Sequence, residues 1–344
     1  MIKGEAEMPG ELQGALVLVT GSGLVGTRMV ARLRADGAGS IRVLDTSAER
    51  VAALGSGIDA IVGDITDPEV AKRAMQGIEV VFHTAGVLEG NDVDAYHRVN
   101  HHGTEVLARA AAAAKVRRFV HVSSVAVYGY AEGDITEAYP IHPKPEAYSQ
   151  SKALGEQAVM RIAQETGMAA VAIRPAGVFG PGSRYFSGTF MKRALKRPIK
   201  MIGNGKGSQA VVFVDDLVDL MVTVATHPKA VGEVFNCAVD PSPTVKQYLH
   251  AYGRLVGNES WLGIPVGLVA TIGAVIVPFQ KKNTYGRHLP RNMRMINKTV
   301  SYKMDKARTV LGWTPKHDVA AGVAATVPWL REQGILPADA KVPV

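Results

Sequence analysis

Short apolar, β-branched runs alternate with helix-patterned segments through the first half of the chain, and this alternation restricts its possible folds more than any other feature. The runs are Ala15–Thr20, Ile41–Asp45, Ala60–Val62, Val80–His83 and Phe119–Ser123. Between them lie the helical patterns Thr27–Asp36, Ala48–Leu54, a helix led by Asp67-Pro68, and Tyr96–Ala114. Runs that are apolar throughout fit strands buried on both faces, as in a parallel sheet covered by helices above and below. The expected fold class is therefore α/β, a doubly wound parallel sheet with a smaller C-terminal lobe. After the strand Ala170–Arg174 the pattern loosens into the turn-rich Gly177–Gly182. It returns at Val211–Thr226 and Glu233–Cys237. This predicts a nucleotide-binding domain over 14–180 to which 210–240 returns, and a substrate lobe from 181–209 and 241–335.

Bulk properties exclude several classes. With 344 residues, 47% hydrophobic and 20% charged, the chain can bury a sizeable core. A single cysteine, Cys237, allows no intramolecular disulfide and points to a reducing compartment. Met1 to Gln13 is acidic and polar with no apolar core, so no signal peptide and a cytoplasmic location are expected. The formal charge of +8 concentrates in Lys192, Arg193, Lys196, Arg197 and Lys200, and again in Lys281, Lys282, Arg287, Arg291, Arg294 and Lys298. No nucleic-acid module accompanies either cluster and aromatics are sparse, so no nucleic acid partner is expected; a solvated face or a membrane surface fits better. His97, His101 and His102 have spacings that could mimic metal ligands, but no fitting carboxylate or thiol motif joins them, and no metal is expected.

Gly21-Ser22-Gly23-Leu24-Val25-Gly26 fits G-x-G-x-x-G between a strand and a helix. Such glycines permit a tight turn and close backbone approach, so that a helix N-terminus faces a pyrophosphate. Asp45 ends the second strand 19 residues after Gly26. A carboxylate there accepts hydrogen bonds from adenosine ribose hydroxyls and repels a 2′-phosphate, which favours NAD over NADP. Arg42 and Arg50 are nearby cations that bear on that preference.

Tyr148 and Lys152 stand four residues apart, on one face of a helix. A cation beside a phenol favours the phenolate and equips the tyrosine for proton transfer at neutral pH. The pair Ser123-Ser124 lies upstream. Together these motifs resemble the extended short-chain dehydrogenase/reductase family over nearly all of residues 15–335. The ordered set is the glycine loop, Asp64-Ile65, His83-Thr84-Ala85-Gly86, Asn100, Ser123-Ser124-Val125-Ala126-Val127-Tyr128-Gly129, Tyr148/Lys152 and Arg174-Pro175.

The resemblance implies roles residue by residue. Ser124, favoured over Ser123 by its spacing to Tyr128-Gly129, would polarise the substrate oxygen. Tyr148 would move the proton, and Lys152 would lower its pKa while binding the nicotinamide ribose. Asn100 would support the network around the nicotinamide, with a purely structural helix role as the alternative. Asp64 and Ile65 would border the adenine, Thr84, Ala85 and Gly86 would approach the cofactor, and Pro175 and Val178 would lie by the nicotinamide. One departure stands out: the family loop reads T-G-x-x-G-x-x-G, and Thr20 to Gly26 is one residue shorter.

Two branches share this machinery, the nucleotide-sugar epimerases and dehydratases and the 3β-hydroxysteroid dehydrogenase-like group. Sugar enzymes of this type usually carry Arg-Asp before F-V-x-V-D-D, the arginine gripping a diphosphate. Alignment on Asp215-Asp216 puts Gln209 and Ala210 there instead. Trp261–Phe279 contains no charged residue and is followed by Lys281-Lys282. Its helical part after Pro265 is too short for a bilayer core of ~30 Å, so contact with a membrane surface through 261–282, a substrate lid or a dimer face is expected. These features favour an NAD-dependent dehydrogenase or reductase acting on a lipophilic, sterol-like alcohol or ketone. A nucleotide-sugar epimerase is the rival, and a homodimer is possible in either case.

Overall fold

The computed structural model describes residues 12–90, 92–276 and 296–337, the last four of the middle stretch by backbone only. Val277–Phe279, Lys281, Lys282, Arg287, Arg291 and Arg294 lie outside the described residues, as does most of Met1 to Gln13.

The strands are β1 (Leu16–Thr20), β2 (Ser40–Asp45), β3 (Ile58–Val62), β4 (Val80–His83), β5 (Arg118–Val122), β6 (Gly133–Ile135), β7 (Ala170–Pro175), β8 (Gly177–Phe179), β9 (Ile199–Ile202), β10 (Val211–Phe213), β11 (Val234–Cys237), β12 (Trp261–Ile264) and β13 (Val300–Tyr302). Helices α1 (Leu24–Ala35), α2 (Ala48–Ala52), α3 (Pro68–Ala74), α4 (Val93–Tyr96), α5 (Thr104–Ala113), α6 (Ala147–Thr166), α7 (Phe190–Ala194), α8 (Val214–Thr226), α9 (Val245–Arg254) and α10 (Val266–Ile276) alternate with them, and Asp305–Leu311 and Val319–Glu332 follow. Local chemistry explains several boundaries. Asp67 caps α3 through the N–H groups of Glu69 and Val70 with Pro68 in the first turn, and Thr244 and Gln247 form a capping box on α9.

Seven strands form one parallel sheet in the order β11-β7-β5-β4-β1-β2-β3. The order reverses between β1 and β4, so the carboxyl ends of these two strands open a crevice of the kind that binds ligands in doubly wound sheets. Both faces are covered, as the apolar runs require. Val17 and Val19 pack with Met29 of α1 and Leu217 of α8 on one side. Leu18 and Leu44 pack with Leu107 of α5 and Ile162 of α6 on the other. A third cluster, including Phe190, Ile199, Tyr248, Tyr252 and Leu330, forms the core of the smaller lobe.

Two elements differ from expectation. The single helix expected over Tyr96–Ala114 is instead α4, a π-helical turn over His97–Gly103 and α5. The stretch after Pro175 begins as strand β8, because Gly177–Phe179 finds a parallel partner in β10; turn-forming residues gave no sign of that distant pairing. The apolar run resolves into β12, paired with β9, and the 11-residue helix α10. Such a helix is about 16 Å long. Among the described residues no helix is long and apolar enough to cross a membrane.

Candidate active site

The loop joining β1 to α1 is built by close approach. Gly21 has φ +79°, and a Cβ there would lie 2.8 Å from the Ala85 Cα; a Cβ on Gly26 would lie 1.8 Å from the Gly21 carbonyl oxygen. The first glycine supplies a left-handed turn, and the last lets helix and turn touch. Thr84 secures the turn by donating to the carbonyl oxygens of Thr20 and Gly21 at 2.7 and 3.1 Å. Gly23 is different: nothing lies within 4 Å of a Cβ placed on it, and α1 starts there with no side-chain cap. An open glycine at an uncapped helix N-terminus is a cradle for a pyrophosphate. Even one residue short, the loop fits a dinucleotide.

Asp45 is 6% exposed, and its carboxylate is surrounded by donors from the chain itself. Oδ2 accepts from the Ser22 N–H and hydroxyl at 2.7 and 2.8 Å. Oδ1 accepts from the Ser47 N–H at 2.8 Å and Arg50 at 2.6 Å. Burial pushes this carboxyl up, but Arg50 and the Ser22 and Ser47 donors outweigh it and hold the pKa at about 2. Asp45 thus staples the glycine loop to β2. A ribose hydroxyl reaching it must replace one of these donors, and Arg50 is the one with an exposed side chain, at 56%. Arg42 is committed elsewhere, to Asp59 at 2.6 Å and the carbonyls of Ala74 and Gln76.

At the other end of the crevice, α6 carries Tyr148 and Lys152 toward the end of β5. The Ser124 hydroxyl accepts from the Ala126 N–H at 3.1 Å, and it is the serine whose interaction with the Tyr148 phenol favours the phenolate. Ser123 is buried with its hydroxyl unpartnered within the protein. Of the two serines, Ser124 is the one that acts on the tyrosine's charge. Tyr96 stands edge-on to Tyr148 with ring centroids 6.4 Å apart.

The electrostatics differ from the expected lowering of the Tyr148 pKa by Lys152. Burial pushes the phenol upward, Ser124 opposes this, and Tyr96 adds to the rise. Lys152 donates to the Val122 carbonyl at 2.5 Å instead of pairing with the phenol. Its own ammonium is lowered to about 8 by burial, with Glu156 pulling the other way.

The remaining sequence-nominated residues divide by role. Asn100 is 1% exposed and fully engaged: Oδ1 accepts from the Val87 N–H at 2.7 Å, while Nδ2 donates to the Val87 carbonyl and the Ser151 hydroxyl. It ties the loop after Gly86 to α6. Ile65 is buried in the core against Gly103. Asp64 caps its own turn through the Thr66 N–H and meets Arg98 at 3.4 Å. Pro175 ends β7 in register with Cys237, and the Val178 carbonyl accepts from the Ser183 hydroxyl at 2.8 Å. Among the described residues no group of three His, Cys, Asp or Glu side chains is arranged to hold a metal.

A buried network beside the site escaped the sequence reading. Glu156, one turn beyond Lys152, receives Arg174 at 2.5 and 3.0 Å. Arg174 also donates to the Tyr128 hydroxyl at 2.8 Å, which donates to Asn236 at 2.7 Å. Arg174 and Tyr128 stood in recognised motifs; Glu156 and Asn236 did not, and their only signal was a polar residue at an apolar position. His83 and His121 stack beneath Lys152 with centroids 5.3 Å apart. Burial, then the Lys152 charge, takes His83 down to about 3.

Comparison with known proteins agrees with this architecture. Residues 17–238 match the family model described as NAD dependent epimerase/dehydratase family. The chain is 30% identical over 337 residues to a UDP-glucose 4-epimerase of Mycolicibacterium smegmatis, covering 92% of this chain and 98% of that protein. It is also 30% identical over 237 residues to a 3 beta-hydroxysteroid dehydrogenase/Delta 5→4-isomerase of Mycobacterium tuberculosis, covering 65% of this chain and 63% of that protein. The solved structure of the epimerase Mth375 of Methanothermobacter thermautotrophicus shares the fold, with a TM-score of 0.77 at 24% identity over 94% of each chain. The chain belongs to the NAD dependent epimerase/dehydratase family, and is an NAD-dependent oxidoreductase of the extended short-chain dehydrogenase/reductase type.

Proposed function

We propose that this protein interconverts a secondary alcohol and a ketone on a lipophilic, sterol-like substrate, with Ser124, Tyr148 and Lys152 as its catalytic residues. The observation that carries the chemistry is the buried Lys152, donating to the Val122 carbonyl at the end of β5 and so setting α6, with Tyr148 one turn earlier, against the segment that carries Ser124. In oxidation, Ser124 orients the substrate hydroxyl and Tyr148 moves its proton at the phenol oxygen. Lys152, on the same helix face, supplies the positive charge that favours the phenolate of Tyr148, the form able to take that proton, and holds the ribose. Bound NAD supplies acceptance of the hydride. The glycine loop, Asp45, Asp64, Ile65, Thr84 to Gly86, Asn100, Pro175 and Val178 form or support its binding site.

Two observations favour a lipophilic substrate. Gln209 and Ala210 offer an amide and a methyl where a diphosphate needs a bidentate cation; Ala210 packs against the cluster around Tyr128, and the Gln209 backbone N–H bonds the Pro243 carbonyl. The uncharged run beginning at Trp261 also supplies apolar surface in the substrate lobe, and contact of 261–282 with a membrane belongs to this reading. The full-length similarity to a UDP-glucose 4-epimerase keeps nucleotide-sugar epimerisation as the second reading.

The test is NAD turnover with hydroxysteroids and other lipophilic alcohols set against UDP-glucose. Turnover of the lipophilic set, lowered about 100- to 10,000-fold in Tyr148→Phe while NADH still binds, is expected. Conversion of UDP-glucose alone would transfer the site to the second reading, and full activity in Tyr148→Phe would remove the assigned mechanism.

A further inference from the structure

Charge is divided unequally between the two parts of this molecule. Residues 181–214 and 241–298 contain fifteen Lys or Arg and one acid, Glu259, which makes them +14 and leaves −6 for the rest of a +8 chain. A cofactor does not need this excess, because the dinucleotide cradle lies in the other part. Many of these cations are also turned outward. Lys192, Lys196, Arg197, Lys200 and Lys246 are exposed and make no ion pair among the described residues.

Tertiary structure then places part of this charge beside exposed apolar surface. β9 and β12 pair in parallel with Lys200 opposite Leu262. Ile199 and Met201 point into the core, so strand alternation turns Lys200 to solvent, with Leu262 46% exposed on the same face. Arg193 donates to the Lys200 carbonyl at 3.1 Å, bringing the end of α7 to this edge. Lys246 lies over the Trp261 ring at 5.8 Å. From β12 the chain enters α10, where Leu268 and Ile272, four residues apart on one helix face, are 54% and 49% exposed. Apart from Glu259, which meets His250 at 3.4 Å, no carboxylate occurs in these stretches to neutralise the face.

We infer that the outer face formed by α7, β9, β12 and α10 docks on an anionic lipid bilayer, its lysines and arginines against the headgroups and Leu268 and Ile272 below them. This deepens the membrane part of the proposed function and is independent of its redox chemistry. Cations on a strand pair that leads into an exposed apolar helix match the two layers of a bilayer surface, charged outside and apolar within. A nucleic acid would use the charge but leave Leu262, Leu268 and Ile272 without a partner.

The experiment is co-sedimentation of the full chain with vesicles of phosphatidylcholine alone or with about a third phosphatidylglycerol, at low salt and about 0.5 M salt. Binding to the anionic vesicles, weakened by salt, is expected. Lys192→Gln/Lys196→Gln/Lys200→Gln should weaken it about 100-fold, since each basic residue near such a surface strengthens binding about fivefold. Leu268→Asp/Ile272→Asp should abolish the part that survives salt. NADH binding, unchanged in both variants, reports that they are folded. Equal binding to both vesicles, no binding, an unaffected lysine variant, or displacement from vesicles by duplex DNA would overturn the inference. Tyr148→Phe should bind vesicles like the native protein, which separates failure of this face from failure of the dehydrogenase assignment.

Discussion

Asp45 shows how one side chain can serve two demands. Its carboxylate holds Ser22 and Ser47 while its partner Arg50 remains exposed, so the group that shapes the glycine loop is also the group a ribose would meet. Asp45→Asn weakens both roles and should raise the KM for NAD about tenfold, equivalent to about 1.4 kcal/mol, with a smaller change in kcat. Steady-state kinetics with varied NAD measure this, and an unchanged KM would count against the assignment. Glu156 presents a different case. Replacing it with Gln leaves the Arg174 guanidinium buried without its counter-charge, which should cost about 3–5 kcal/mol in urea unfolding; a loss under 1 kcal/mol would show that Tyr128 and water suffice. Ser124 and Tyr148 were legible in the sequence because their spacings are local to one turn and one helix. Glu156 and Asn236 were not, because their meaning depends on Arg174 and Tyr128 arriving from other strands.

At the scale of elements, α6 is placed by contact with the π-helical turn before α5. A Cβ on Gly155 would lie 2.3 Å from the Asn100 carbonyl oxygen, so the two backbones meet one turn from Lys152 and two from Tyr148, the proposed catalytic pair. Gly155→Ala should force them apart, cost about 1–3 kcal/mol and lower Tm by several degrees. Thermal unfolding followed by circular dichroism measures this, and an unchanged Tm would show that the helix can slide without cost. Sequence periodicity foresaw every strand of the main sheet to within a few residues, and the Tyr148/Lys152 spacing foresaw a helix where α6 lies. It missed the π turn, whose extra residue leaves apolar spacing nearly intact, and β8, whose three residues become a strand only through β10.

Across the whole molecule, stacking strands in register buries His83 and His121 side by side at the centre of the sheet. His83 falls from its ordinary 6.5 to about 3 through burial and the nearby Lys152 charge, and His121 falls also. The unfolded chain therefore binds protons below pH 6.5 that the native state refuses, and stability must fall with pH from there toward 3. Each histidine contributes a slope of about 1.4 kcal/mol per pH unit. Urea midpoints near pH 7 and pH 5 should show the decline, and His83→Gln should flatten it; identical midpoints would refute the burial of neutral imidazole. The proposed membrane face belongs to the same scale, because the β9–β12 pair sets Lys200 opposite Leu262.

The sequence by itself determined the doubly wound sheet and the NAD-binding family and nominated the Ser-Tyr-Lys set, because each rests on hydrophobic period or short spacing, which survive without knowledge of distant partners. Tertiary structure alone decided that Asp45 is saturated by its own chain, that burial raises Tyr148, that Glu156 anchors Arg174, and that Lys200 and Leu262 share a face. Those properties depend on desolvation and on contacts between residues far apart in the chain, and both are set only when the strands and helices close on one another.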